Sequence, residues 1–296
     1  MTQPTFEFNA LEPFGMEVAG LDLREQLPAT TLRALAEAFV THKLLLFRGQ
    51  SLEPAQYSAF AHHWGKPRID GFTERNVPGF SEISQVGNYG GILEQQAYQN
   101  GAAFWHTDCA AELDPNASTM LYCVHAPDEG GETVIADMQA AYDALDTGTK
   151  SRIETVEVWH CYSGTRPIIG GKEEWEYELE TVTDETANML PAPVKRPLVR
   201  PHSVTRRKGL YSPAGSIFAV EALPEAEAHE LLRELKLHAI KDQFCYRHRY
   251  RRGDLLMWDN TSTMHCAQPV TRADGRSGKR LLYRIAPLGL PAVLQA

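Results

Sequence analysis

The spacing of hydrophobic residues changes twice between residues 28 and 65, which predicts a helix, a strand and a second helix. Four apolar residues first recur at the spacing of one helix face: Leu32, Leu35, Phe39 and Val40. Residues 44–47 then form a continuous apolar run, which is typical of a buried strand. Pro54 stands where a helix commonly begins, and a second apolar helix face follows it until Gly65. These elements predict an α/β layer ahead of the rest of the chain.

Short apolar runs, separated by turn residues, dominate the remaining chain. We predict strands in five segments: residues 82–86, 120–124, 133–136, 255–258 and 280–284. Asp137 is a favourable N-cap for a helix that reaches Leu145, and residues 223–241 carry the clearest helical pattern. Many short strands with few helices outside them predict a mainly β fold with flanking helices. The expected type is a double-sheet jelly roll, the double-stranded β-helix.

The chain of 296 residues is compatible with one domain, because β-rich folds of this size are commonly single. We therefore expect one domain over residues 1–296. Within it, residues 172–180 hold five Glu, and residues 191–201 are proline-rich without a helical period. Such a stretch is more typical of an insertion than of a core, so we expect a lid or insertion at about residues 166–202.

The charge of the chain disfavours several classes of partner. A net charge of −9 at pH 7 repels nucleic acid and anionic membrane surfaces, and it favours a small-molecule substrate. The chain has no run of about 18 apolar residues, and its first residues lack the basic and apolar regions of a signal peptide. Its five Cys show no C-x-x-C spacing. We therefore expect a cytoplasmic protein without a membrane partner.

A stretch of aromatic and basic residues at 246–252 allows two interpretations. It is compatible with a nucleic-acid surface, or with a strand that has one solvated face. The negative net charge favours the strand.

His106 and Asp108 form the only His-x-Asp pair in the sequence. If this stretch is extended, their side chains point the same way and Thr107 points the other way. An imidazole and a carboxylate on one face are two of the three ligands of the 2-His-1-carboxylate triad of non-haem Fe(II) oxygenases. The alternative is a surface strand with a local hydrogen bond. His265 is the candidate third ligand, although a lone His after a strand is also commonly structural.

Arg280 and Arg284 lie four residues apart in a β-prone segment, so both would lie on one face of a strand. Arginine offers a charged, bidentate fork that suits a carboxylate. Two buried arginines on one face would need anionic partners, because an unpaired buried charge is very costly. Two surface salt bridges are the alternative interpretation.

Taken in order along the chain, these motifs resemble the taurine dioxygenase and phenoxyalkanoate-herbicide dioxygenase family of Fe(II)/2-oxoglutarate-dependent oxygenases. The resemblance covers most of the chain. The motifs that carry it are residues 44–50, 105–108, 130–133 and 253–260, His265, and the pair Arg280 and Arg284. The resemblance implies an enzyme that uses Fe(II), 2-oxoglutarate and O2, and that forms a homo-oligomer, either a dimer or a tetramer.

The same resemblance implies roles for single residues. It implies three Fe(II) ligands: His106, Asp108 and His265. Arg280 would hold the distal carboxylate of 2-oxoglutarate, with a second hydrogen bond from the Thr133 hydroxyl. Arg284 would lie near the 1-carboxylate of 2-oxoglutarate and near the anionic group of the substrate.

The chain departs from the taurine enzymes where the substrate is selected. Gly101 and Ala102 stand where those enzymes carry polar residues for the substrate amine, and Asp70 stands where they place a His for the sulfonate. Taurine is therefore disfavoured. Phe104 and four other aromatic residues are candidates to line a larger apolar pocket: Phe72, Phe80, Tyr89 and Tyr98. We expect a small organic acid with an apolar or aromatic body, contacted by Asp70, Ala102, Phe104 and Arg284.

The expected reaction is hydroxylation of an unactivated C–H bond, or dealkylation through an unstable hydroxylated product, with release of succinate and CO2. Asp108 disfavours a halogenase of related fold, in which a small residue at this position leaves a site for chloride. Two other functions remain open. An alkylated-nucleic-acid demethylase would use the same triad, and a non-catalytic jelly-roll binding protein would carry a vestigial one.

Overall fold

A computed structural model describes residues 6–69, 73–94, 102–162, 191–270, 278–291 and 294. The described residues form five α-helices: α1 (Ala29–His42), α2 (Pro54–His62), α3 (Met138–Asp143), α4 (Thr147–Ile153) and α5 (Glu225–Ala239). The first nine strands are β1 (Glu7–Ala10), β2 (Met16–Ala19), β3 (Leu44–Phe47), β4 (Lys66–Pro67), β5 (Asn76–Val77), β6 (Phe80–Gly87), β7 (Ser118–His125), β8 (Thr133–Asp137) and β9 (Glu157–His160). The other nine are β10 (Val194–Pro197), β11 (Val199–Pro201), β12 (Lys208–Leu210), β13 (Ile217–Val220), β14 (Cys245–His248), β15 (Leu255–Asp259), β16 (Thr263–Ala267), β17 (Leu281–Ile285) and β18 (Pro287–Leu288).

Two sheets form the body of the molecule. The large sheet has eight strands in the order β1-β2-β3-β15-β7-β17-β6-β5, and the small sheet has three in the order β14-β8-β16. Neighbouring strands are antiparallel except for β2 and β3. The predicted mainly β fold of the jelly-roll type, with flanking helices, is confirmed.

Strand β3 explains why a run of apolar residues can lack alternation. Leu44 and Leu46 pack against Ile135 of the small sheet. Leu45 and Phe47 belong to the cluster that the large sheet forms with α1 and α2 on its other face. Because both faces are covered, all four residues of β3 are fully buried. The predicted unit of helix, strand and helix is therefore confirmed.

The outer face of the small sheet is covered by α5. Val134 and Met264 pack in one cluster with Leu232 and Leu235 of this helix. In the described part of the chain, the two sheets thus lie between two helical layers, and their inner faces enclose a space between them. No helix in the described part of the chain is both long and apolar enough to cross a membrane.

The stretch predicted as a lid or insertion at about residues 166–202 holds two strands in its described part, and its role stays a prediction. β10 pairs with β9, and β11 pairs with β12. Leu198, between them, is fully buried in the cluster of α5. The prolines concealed these strands, but β10 is an edge strand, where proline is tolerated. Residues 163–190 lie outside the described residues, and the single domain stays a prediction.

The aromatic and basic stretch forms a strand with one solvated face, as the negative net charge favoured. Tyr246, His248 and Tyr250 are buried, whereas Arg247 and Arg249 are exposed. This alternation directs Tyr250 into the space between the sheets.

Candidate active site

Four of the predicted site residues lie on, or directly before, two strands of the small sheet and one strand of the large sheet. On β8 and β16, Thr133 and His265 alternate with residues that pack under α5, so both face the large sheet. Arg280 lies just before β17, and Arg284 lies within it. Each is two residues from Leu282, which packs between the sheets. All four therefore face the same inner space.

The segment that contains His106 and Asp108 is held beside β16. The backbone N–H of His106 donates to the carbonyl oxygen of His265 over 2.9 Å, and the reverse bond measures 2.8 Å. Thr107 points away and its hydroxyl donates to the carbonyl of Thr263 over 3.1 Å. The extended backbone ends there, since a turn begins at Asp108. Its carboxylate nevertheless lies on the side of the two imidazoles.

Three side chains converge on one point. Nε2 of His106 lies 3.5 Å from Oδ1 of Asp108, and Nε2 of His265 lies 3.8 Å from the same oxygen. Potential ligand atoms of the three residues all lie within 4.8 Å of one another. The Nδ1 atom of His106 is occupied, 2.8 Å from the carbonyl oxygen of Phe104, so its Nε2 is the atom left for a ligand. Two imidazoles and a carboxylate in this arrangement fit an Fe(II) site with open positions.

Charges around these residues keep them ready for a metal ion. Burial alone would raise the pKa of Asp108, but Arg284, His265 and His106 hold it well below its usual range. Nη2 of Arg284 lies 3.0 Å from Oδ2 of Asp108. Burial, followed by the nearby His106, lowers the pKa of His265 to about 3. An ionised carboxylate and a neutral imidazole are the forms that bind metal.

One end of the inner space, the Arg280 end, is formed by Arg280, Thr133 and Tyr250. Arg280 is 5% exposed, its Nε atom has no hydrogen-bond partner among the described residues, and burial lowers its pKa. Its guanidinium lies 5.6 Å from the centre of the Tyr250 ring, and the hydroxyls of Tyr250 and Thr133 are 2.8 Å apart. A guanidinium buried in this way requires an anion, so this end suits a carboxylate.

Gly131 makes room for this arginine. A Cβ atom at Gly131 would lie 2.9 Å from Cδ of Arg280, and the backbone φ of Gly131 is +70°. Any other residue would be strained and would displace the arginine. Gly131, which belongs to the motif at residues 130–133, therefore has a direct role in forming the Arg280 end.

A second part of the cavity wall, called here the Glu112 end, is formed by Arg68, Glu112 and Tyr162. Nη2 of Arg68 lies 2.6 Å from Oε1 of Glu112, and the Tyr162 hydroxyl donates to the same carboxylate oxygen. None of these three residues was predicted from the sequence. They come from three segments that lack a periodic pattern, so no signal in the sequence pointed to them. Tyr250 was also missed, although the alternation of residues 246–251 could have shown that it is buried.

A cavity of about 330 Å³ is lined by Arg280 and Thr133 of the Arg280 end, by all three residues of the Glu112 end, and by the three convergent residues. Its walls include six apolar side chains: Val86, Leu93, Ala102, Ala103, Leu121 and Trp258. Of the predicted substrate contacts, Ala102 and Arg284 line the cavity. Phe104 packs on His106, with ring centroids 4.8 Å apart. Asp70 lies outside the described residues.

Two other aromatic residues proposed for the pocket, Phe80 and Tyr89, do not line it. Phe80 packs against the core cluster under α1 and α2, and Tyr89 packs on His125. Phe72 and Tyr98 lie outside the described residues. Trp258, which belongs to a buried strand, supplies an aromatic wall instead.

A family model described as the taurine catabolism dioxygenase TauD, TfdA family matches residues 7–286. The chain belongs to the TauD/TfdA family. It is 35% identical over 269 residues to the alpha-ketoglutarate-dependent 2,4-dichlorophenoxyacetate dioxygenase of Cupriavidus pinatubonensis, covering 87% of this chain and 90% of that one. It is 29% identical to the (S)-phenoxypropionate/alpha-ketoglutarate-dioxygenase of Sphingobium herbicidovorans, covering 98% and 97%. The crystal structure of AAD-2 with Mn(II) and N-oxalylglycine has a TM-score of 0.77 and 31% identity, covering 96% and 98%.

This member of the TauD/TfdA family is an Fe(II)- and 2-oxoglutarate-dependent dioxygenase that acts on a small organic molecule. The predicted family, reaction class and requirement for Fe(II), 2-oxoglutarate and O2 are confirmed. The chain's own residues fit these groups: the His, Asp and His side chains form a metal donor set, and buried Arg280 provides a cation for a dicarboxylate.

Proposed function

We propose that the dioxygenase binds iron through three side chains: His106, Asp108 and His265. The convergence of their ligand atoms within 4.8 Å supports this assignment. We further propose that Arg280 and Thr133 bind the distal carboxylate of 2-oxoglutarate, because Arg280 is buried without a hydrogen-bond partner for its Nε among the described residues. We also propose that Arg284 contacts the 1-carboxylate of 2-oxoglutarate and the substrate, and its position next to Asp108 in the cavity wall supports this role.

The proposed substrate is a small organic acid with an apolar or aromatic body, which is hydroxylated at an unactivated C–H bond. Fe(II), 2-oxoglutarate and O2 supply the oxidation when bound, with release of succinate and CO2. The protein's part is to hold the acid beside the triad. The observation that carries the proposal is a cavity that combines apolar wall residues with a cationic group, Arg284, beside the triad. The names of two relatives, which are dioxygenases of phenoxy acids, agree with it.

A matched pair of compounds tests the charge of the substrate. Phenoxyacetate and 2-phenoxyethanol share one apolar body, but only phenoxyacetate carries a carboxylate. We expect phenoxyacetate to raise succinate formation at least about 10-fold above the rate with no substrate, and we expect little effect from the alcohol or from taurine. Equal stimulation by the acid and the alcohol would contradict an organic acid as the substrate.

A matched pair of variants tests Arg284. Arg284→Lys keeps a positive charge beside Asp108 but loses the planar fork that binds a carboxylate. We expect a higher KM for phenoxyacetate in this variant. Arg233→Lys, on the exposed face of α5, is the control and should leave KM unchanged. If the two variants behave alike, Arg284 does not contact the acid.

We also propose that the enzyme acts in the cytoplasm as a homo-oligomer and binds no nucleic acid. The net charge of −9 disfavours a nucleic-acid partner. All five cysteines are free, which agrees with a reducing compartment. Light scattering coupled to size-exclusion chromatography would give the mass, and a gel shift with alkylated DNA would detect a nucleic-acid partner.

A further inference from the structure

Two groups donate hydrogen bonds to the same oxygen of Asp108. The Thr119 hydroxyl lies 2.5 Å from Oδ2, and Nη2 of Arg284 lies 3.0 Å from it. The other oxygen, Oδ1, faces Nε2 of both His106 and His265. The two oxygens of this carboxylate are therefore distinguished by their surroundings: one is occupied by protein donors, and the other faces the metal-binding point.

The neighbours of Thr119 determine where its hydroxyl proton points. A hydroxyl has one proton to donate and two lone pairs to accept with. Nδ2 of Asn260 lies 2.8 Å from the Thr119 Oγ1 atom, and Nδ2 of Asn116 lies 3.1 Å from it. Both amide groups donate, so both lone pairs are occupied and the proton is left for Asp108. Thr119, Asn116 and Asn260 are at most 2% exposed, which keeps water from competing.

The orientations of the two amides are also determined by their neighbours. The indole N–H of Trp258 can only donate, and it lies 3.1 Å from Oδ1 of Asn260, so Nδ2 of Asn260 must face Thr119. Nδ2 of Asn116 also lies 2.8 Å from the carbonyl oxygen of Ser118, which can only accept. A flipped amide would place two oxygens together at that point. The chain of bonds from Trp258 to Asp108 therefore runs in one direction only.

We infer that Thr119 is a positioning residue for the iron carboxylate, oriented by Asn260 and Asn116. By occupying Oδ2 of Asp108 it presents Oδ1 alone to the metal. A carboxylate that offers one oxygen leaves more positions for 2-oxoglutarate and O2 than one that offers two. Partners that orient a ligand in this way commonly change metal affinity by about 10- to 100-fold. The inference rests on the proposed assignment of His106, Asp108 and His265 as ligands.

Binding of Mn(II) tests the inference without turnover, measured by the EPR signal of free Mn(II) in the absence of 2-oxoglutarate. Thr119→Val keeps the shape of the side chain and removes the hydroxyl. We expect it to weaken Mn(II) binding about 10- to 100-fold. Thr119→Ser retains the hydroxyl and should restore an affinity close to that of the unchanged protein.

Thr107→Val is the matched control. It also removes one buried hydroxyl hydrogen bond, beside the ligands but directed at the Thr263 carbonyl instead of a carboxylate. We expect it to lower the thermal midpoint of the metal-free protein as Thr119→Val does, and to leave Mn(II) affinity unchanged. If Thr119→Val binds Mn(II) as tightly as the unchanged protein, or if Thr107→Val weakens binding equally, the inference is wrong.

Two further variants complete the test. If Thr119→Val does not fold, Asn260→Asp replaces a donor to Thr119 with an acceptor that draws its proton away from Asp108, and the same loss of affinity is expected. Unchanged Mn(II) affinity in Asn260→Asp would overturn the inference. Asp108→Ala tests the ligand assignment itself. Full Mn(II) affinity in Asp108→Ala would refute the assignment, whereas loss there with no loss in Thr119→Val would refute only the role of Thr119.

Discussion

The Arg280 end and the Glu112 end of the cavity are built from different kinds of structure. At the Arg280 end, Thr133 lies on β8, and Arg280 immediately precedes β17. At the Glu112 end, Arg68, Glu112 and Tyr162 lie in segments that connect strands. One end holds a buried cation whose Nε lacks a hydrogen-bond partner among the described residues, and the other holds a carboxylate already paired with an arginine.

We propose that this difference separates the binding of 2-oxoglutarate, which the family shares, from the selection of the substrate by the single enzyme. Strand ladders fix the Arg280 end to the same frame as the triad, as suits a cosubstrate that every member uses. Connecting segments tolerate change, as suits a surface that distinguishes substrates. We therefore expect changes at the two ends to affect different kinetic constants.

The largest effect on metal binding and activity is expected from a change in one of the three proposed iron ligands. His265→Ala removes a ligand from a rigid strand, so we expect Fe(II) affinity and succinate formation to fall by more than about 100-fold, beyond the effect of changing a residue that only orients a ligand. An anaerobic Fe(II) titration measures the affinity. His63→Ala, which changes an exposed His after α2, is the control and should bind normally. Normal Fe(II) affinity in His265→Ala would refute its role.

The next largest effect is expected at the Arg280 end. Arg280→Met removes the cation for the cosubstrate, and we expect the KM for 2-oxoglutarate to rise about 100-fold, because loss of one partner of a buried charge pair costs about 2–5 kcal/mol. Without ligand, the same change removes a buried charge, so the thermal midpoint of the metal-free protein should be unchanged or higher. Steady-state kinetics and thermal unfolding measure the two effects.

The control for Arg280→Met is Arg152→Met, which removes an exposed arginine paired with Glu234. It should leave the KM for 2-oxoglutarate unchanged. A lower thermal midpoint for metal-free Arg280→Met would show that the arginine is satisfied within the protein, and would remove the distinction between the two ends.

The stability of the fold near the Glu112 end should depend on pH, because a buried histidine lies there. His160 lies two residues before Tyr162, fully buried, and burial followed by nearby Arg196 lowers its pKa to about 3. The unfolded chain takes up a proton near pH 6.5 and the folded chain does not, so the free energy of unfolding falls as pH falls below 6.5. Between pH 6.5 and 5, His160 should account for about 2 kcal/mol of this loss.

Urea unfolding at pH 7 and pH 5 measures this effect in His160→Gln. We expect a smaller loss of stability between the two pH values than in the unchanged protein. His229→Gln, at an exposed position of α5, is the control and should retain the full loss. An equal loss in His160→Gln would mean that His160 is already protonated when folded.

The smallest effect on the kinetic constants is expected from a change at Glu112. Glu112→Gln removes one negative charge from the cavity wall and leaves Arg68 without its 2.6 Å ion pair. An anionic substrate should then bind better, with its KM lowered about threefold, while the KM for 2-oxoglutarate stays the same. Glu234→Gln makes the same change of charge on the exposed surface and should alter neither constant. A changed KM for 2-oxoglutarate alone would reverse the assignment of the two ends.

Local patterns were sufficient to predict the residues that strands carry. Even spacing placed Arg280 and Arg284 on one face, and alternation placed His106 opposite Thr107. The structure confirms both, because side chains alternate along a strand wherever it lies. Alternation did not predict the two strands within residues 194–201, because these short strands contain prolines and show no period.

The sequence by itself determined the longer helices and the main strands of the two sheets, the mainly β fold, and which residue types a metal and a dicarboxylate require. Only the tertiary structure decided which residues meet across long separations. Asn260 reaches Thr119 across 141 residues, and Tyr162 reaches Glu112 across 50 residues, because distant parts of the chain fold back onto one another. Periodicity reports the face on which a side chain lies, but not which distant side chain faces it. The orientation of the Asp108 carboxylate and the contacts at the Glu112 end are therefore decided by tertiary packing.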